Sequence, residues 1–146
     1  MVDAKSLTVG SHIMADGKRC QVVRIIAPGE DYDPPYVIIN VRAMINGKMK
    51  VCSCKSDSKF IEPIPLTPEL LKELEFEERE SGQTWAKEYA PDSWMFVTLY
   101  PDGERCKVNV YPSDFRREAS MVMRCHLHEL EAFLWLVDRK EVVEGW

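Results

Sequence analysis

The chain has no apolar run approaching the ~18 residues a membrane-spanning helix needs. Its opening residues, MVDAKSLTVG, have neither the basic start nor the apolar stretch of a secretory signal. Together these absences predict a cytoplasmic protein with no membrane contact. The seven glycines are scattered, most of them at turns, so no phosphate-cradling glycine loop is present. Basic excess is missing too. Nineteen Lys and Arg face 24 Asp and Glu, for a formal net charge of −5. That disfavours sequence-blind DNA binding, which depends on clustered cations that release counterions. The five cysteines are an odd number at irregular spacings. Without an export signal they read as reduced thiols, not as a disulfide framework.

What is present fits 146 residues divided into two small lobes, 1–62 and 63–146. The first lobe reads as strands and tight turns. A strand at 12–14 meets Asp16-Gly17, which tolerates the positive φ of a two-residue hairpin, and 19–26 returns. The prolines between residues 28 and 35 mark a loop. Residues 36–45 alternate, with Val37, Ile39, Val41, Ala43 and Ile45 on one side. Asn46-Gly47 is a strong hairpin signal, and the return strand 48–54 puts Met49 and Val51 opposite Lys48, Lys50, Cys52 and Cys54. Several short strands in ~60 residues predict a small curled sheet of SH3-like barrel type.

The second lobe opens with a junction and short helix over 63–78. Thr67 is placed to N-cap, Pro68 to occupy the first helical position, and Glu69 to face the helix dipole. Leu66 and Leu71 take the two positions of a hydrophobic staple. Residues 77–92 fit either a loop or a helix extension, with Glu73, Glu77 and Glu80 as a solvated helix face. A hairpin over 94–111 turns at Pro101-Asp102-Gly103. A third strand over 119–125 points Met121, Met123 and Cys125 inward. A C-terminal helix over 126–138 carries Leu127, Leu130, Leu134 and Val137 on one side. The expected class is α+β, with the barrel lobe packed on the sheet-and-helix lobe through the proline junction.

Several residue groups have the atoms for chemistry. Cys52, Cys54, Cys125, His126 and His128 are zinc-ligand types, but C-x-C is not a zinc knuckle. As residues of one helix, His126 and His128 diverge by ~200°. The expectation is therefore no metal and no cofactor, with inert thiols and solvated histidines. His128-Glu129 begins an H-E-x-x-H pattern that Ala132 breaks. Lysines beside Cys52 and Cys54 favour thiolate only if the thiols are exposed, and no motif links a cysteine to a histidine. No catalytic residue is indicated.

Two surfaces stand out as candidates. Tyr36 (with Tyr32), Lys48 and Lys50 have the aromatic and basic character of a nucleic-acid groove, and Lys55 and Lys59 extend the basic cluster. The plainer alternative is a tyrosine packed across strands and lysines guarding a sheet edge. Phe133 and Trp135 either widen the core face of the last helix or form a patch for a partner, including a second copy of the chain.

Three stretches carry a resemblance: 7–26, the IPLTPELLKELEF junction at 64–76, and CHLHELEAFLWLVDRKEVV from 125 onward. In this order they resemble a group of small uncharacterised bacterial and phage-type proteins. The likeness covers about half the chain and implies a shared fold and a mobile-element context. It implies no activity. Asp138-Arg139 stands where that group usually has Thr-Gly, so the glycine helix cap is absent. The functional expectation is a non-catalytic interaction module with a protein partner. The alternative is an accessory nucleic-acid binder acting through the N-terminal lobe.

Overall fold

The structure, a computed structural model, describes residue 2 and residues 7–26, 37–55, 61–113 and 118–136; of Trp135 and Leu136 it describes the backbone alone. The loop expected between 28 and 35, together with Tyr32, Tyr36, Lys59 and Val137, lies outside these residues. The chain divides into two compact units, Met1–Ile64 and Pro65–Trp146. Each is built on one five-stranded antiparallel sheet. No helix among the described residues is long and apolar enough to cross a membrane.

In the N-terminal unit the strands are β1 (His12–Ala15), β2 (Lys18–Ile26), β3 (Ile38–Ile45), β4 (Lys48–Lys55) and β5 (Ile61–Glu62). Both expected hairpin turns form. Asp16 and Gly17 have φ of 50° and 71°, and Asn46 and Gly47 have 51° and 74°. These paired positive values twist the turn in the same sense as the strands. The register shifts between Val22 and Arg24, a bulge that bends β2 and increases its twist. Ile13, Val22, Ile39, Val41 and Ile61 form the centre of the core.

The strand order is β4-β3-β2-β1-β5. Among the described residues β4 and β5 do not pair, so the sheet stays open and the expected SH3-like barrel does not close. The alternation of β4 explains part of this. The side it turns towards the core face carries Lys48, Lys50, Cys52 and Cys54, too polar a set to seal a seam.

In the C-terminal unit, α1 (Pro68–Glu73) precedes a meander of β6 (Glu77–Glu80), β7 (Thr84–Ala90), β8 (Ser93–Leu99), β9 (Arg105–Tyr111) and β10 (Ala119–Arg124), followed by α2 (Leu127–Leu136). The helix start is built as its residues dictate. Thr67 Oγ1 accepts from Leu70 N–H at 3.2 Å, and Leu66 and Leu71 are both buried. The helix then stops after one and a half turns. Glu75 takes φ 66°, Phe76 N–H donates to Leu71 C=O, and Glu75 N–H donates to Lys72 C=O. That is a Schellman ending with glutamate in the left-handed position glycine usually fills. Lys87 Nζ supports it, donating to Leu74 C=O at 2.7 Å.

Residues 77–92 are accordingly neither loop nor helix extension. They form a hairpin, and Glu77 and Glu80 lie on a strand, not a helix face. Trp85 is buried within it and its indole donates to Gly82 C=O at 3.2 Å, tying down the turn. The 94–111 hairpin forms as expected. Asp102 accepts from Glu104 N–H, Arg105 N–H and Arg105 Nε, which together hold its carboxyl below the ordinary range. In β10, Met123 and the following Cys125 are buried, but Met121 is half exposed. Leu127, Leu130 and Leu134 of α2 are fully buried, as their spacing predicts.

Candidate functional site

The open N-terminal sheet leaves a cleft of about 380 Å³. Register pairs Val41 with Cys52 and Ala43 with Lys50, so alternate residues of β3 and β4 face the same hollow. Ala15, Cys20 and Ile61 complete a mostly apolar floor, and Asp16, Lys18 and Lys50 line it as well. A preformed, apolar cavity with a few charged groups is the usual form of a small binding site, and ~300–1,000 Å³ is the usual size.

Three thiols, Cys20, Cys52 and Cys54, line this cleft, and burial makes Cys20 and Cys54 poor nucleophiles. Cys20 is buried and donates to Lys18 C=O at 3.3 Å; Cys54 is half-buried and donates to Ile39 C=O at 3.5 Å. Burial pushes both thiols above the ordinary value, and the neighbouring thiols push in the same direction. A raised thiol keeps its proton at neutral pH, so the lysines nearby do not activate Cys54.

The residues singled out in the sequence do not assemble into one surface. Lys48 and Lys50 are exposed on β4, an edge strand of the sheet. Tyr32 and Tyr36 lie outside the described residues, which include no Phe, Tyr or Trp in the N-terminal unit. Phe133 is 5% exposed, so it packs in the core and offers nothing to a partner. The side chain of Trp135 is outside the described residues.

An aromatic strip in the C-terminal unit is not among the sequence expectations. On β8, Trp94 and Phe96 alternate with buried Met95 and Val97, which places both rings on the opposite sheet face. Phe96 meets Tyr111 of β9 edge-on at 5.7 Å, and the Arg79 guanidinium lies 5.3 Å from the Trp94 ring. The signal that could have found it is the alternation W-M-F-V, because aromatics on the side opposite the core have no core to bury them.

A second cluster beyond those expectations involves the histidines. His126 is not a helical residue. It bridges to Pro65, and its carbonyl accepts from Leu130 N–H, which makes it the N-cap of α2. The expected divergence of His126 and His128 therefore does not occur. Their rings stack at 5.6 Å with 19° between planes, and with Glu129 they bring three ligand-type atoms within 4.8 Å of one another. Nor are both histidines solvated, since His128 is 2% exposed. The Cys52 and Cys54 pair belongs to the cleft and the other unit.

Compared with known families and with curated proteins, the chain matches no family model and no curated relative.

Proposed function

We propose that the protein is a non-catalytic interaction module, capturing an extended acidic–apolar segment of a protein partner along β4. One observation carries this reading: the apolar cleft lies directly beside an edge strand whose outer edge pairs with no strand among the described residues. A segment added to that edge gains main-chain hydrogen bonds, and its alternate side chains fall over the cleft. Charge selects the occupant. Lys48, Lys50 and Lys55 run along β4, and lysines on an edge disfavour pairing with a second, equally basic copy. An acidic segment meets no such penalty. The free thiols fit a reducing compartment, the cytoplasm. A partner-capturing module also suits the mobile-element context that the motif order implies.

A second reading has its own observation. Trp94, Phe96 and Tyr111, with Arg79 beside them and Lys107 exposed on β9, resemble a stacking platform for single-stranded nucleic acid. This moves the nucleic-acid alternative from the N-terminal unit to the C-terminal sheet.

One titration separates the two readings. The full chain is titrated in parallel with peptides alternating Val or Leu with Glu or Asp, and with an oligothymidylate at low salt. Peptide binding is expected, lost in Ala43→Phe, which fills the cleft, and weakened in Lys50→Glu. Met49→Ser, on the opposite face of β4, should bind normally. Oligonucleotide binding abolished by Phe96→Ala and Tyr111→Ala, with no peptide binding, would reverse the order of the two readings.

A further inference from the structure

The His126, His128 and Glu129 cluster has a partial explanation in helix capping. An N-cap residue and the residue three positions on naturally approach each other, and His126 Nδ1 and Glu129 Oε1 are 3.9 Å apart. Capping does not account for His128. Its imidazole is almost fully buried yet stacks on the half-buried ring of His126, and its ligand atom falls within the same 4.8 Å group. Two imidazoles and a carboxylate are the donor set of three-ligand zinc sites, which leave the fourth position to water.

We propose that His126, His128 and Glu129 form a binding site for a divalent first-row transition metal, zinc being the best match to the ligand set. The backbone that presents them is clamped from both sides. Cys125 N–H donates to Glu104 C=O, and Leu66 N–H donates to Cys125 C=O, both at 2.8 Å. The ligand atoms must draw together from within 4.8 Å. Bonds of ~2.0–2.1 Å require about 3.3 Å between ligand atoms in a tetrahedron. His126 and Glu129 are free to make that adjustment, because their side chains remain 28% and 20% exposed.

One further effect bears on affinity. The positive end of the α2 dipole weakly opposes a cation. The full negative charge of Glu129 outweighs that partial charge. The exposed edge of His126 leaves a side open for the water ligand.

The test uses the untagged full chain, stripped with a chelator and titrated with Co²⁺ and then Zn²⁺ at pH 7. One equivalent of Co²⁺ is expected, with visible absorption of a nitrogen–oxygen site and no thiolate-to-cobalt charge-transfer band. Zinc should displace it. His126→Asn and Glu129→Gln, on partly exposed side chains that leave the core intact, should each weaken binding by more than about tenfold. The Cys52→Ser, Cys54→Ser double variant should bind as the parent does. His128→Gln is a harsher change at a buried position, and the other two variants decide the matter if it fails to fold. Absence of binding at millimolar metal, a thiolate band, or binding unchanged in both His126→Asn and Glu129→Gln would overturn the proposal.

Discussion

The two units start from the same plan, a five-stranded antiparallel sheet, and finish it differently. In the C-terminal unit α2 buries Leu127, Leu130 and Leu134, leaving each at most 1% exposed. The N-terminal unit has no helix among its described residues, and its sheet does not close. Its inner surface is partly core and partly cleft. A sheet face filled by a helix converts apolar area into stability, whereas a face left open keeps that area available to a ligand. The same building block thus has its inner face filled in one half and left partly open in the other.

Core truncation tests this contrast with the largest expected effect. Leu130 and Ile61 are similar in volume and both are buried, but only Ile61 borders the cleft. Leu130→Ala leaves an enclosed void and should cost about 4 kcal/mol; Ile61→Ala opens towards solvent and should cost about 2 kcal/mol. Urea unfolding measures the first by tryptophan fluorescence, since Trp85, Trp94, Trp135 and Trp146 all fall in the C-terminal unit. Pulse alkylation of buried Cys20, read by peptide mass, measures the second. Equal losses would mean that the cleft gives its lining residues no relief.

Features written in two or three adjacent residues are legible in the sequence alone. Asp16-Gly17 and Asn46-Gly47 announce turns because positive φ at both positions excludes most other residues. Thr67-Pro68-Glu69 announces a helix start for equally local reasons. The end of α1 is not legible, because Glu75 takes the left-handed position and no glycine marks the stop. That single residue hides the β6–β7 hairpin. Likewise α2 begins without a Ser, Thr, Asp or Asn cap, so periodicity starts the helix one residue early and turns His126 away from His128. Whether the N-terminal sheet closes depends on the meeting of β4 with β5, a long-range event that no short window records.

The helix cap allows a second, smaller test, confined to the filled unit. Thr67→Ala removes the acceptor of Leu70 N–H and should lower the stability of the C-terminal unit by about 1 kcal/mol. Thr67→Ser should restore most of it. Cys20 protection in the same samples reports the other unit; an equal loss there would mean that the two halves unfold together, as a packed proline junction predicts.

The smallest effect expected concerns the thiols, and it returns to the open unit. Cys20 and Cys54 are raised above 9.0 by burial, and both line a cleft that solvent reaches, so the shift acts against good screening. A thiol that ionises later in the folded state than in the unfolded chain stabilises fully below the unfolded value. It loses that contribution as pH climbs through the folded value. The stability of the N-terminal unit should therefore be flat below pH 9 and decline above it. Urea midpoints for Cys54→Ala should decline less steeply over the same range. If the cleft is occupied by a partner segment, desolvation deepens and the decline should begin from a higher plateau and run further. An unchanged slope in both cases would show that Cys54 sits in water in solution and that the cleft is shallower than its lining residues imply.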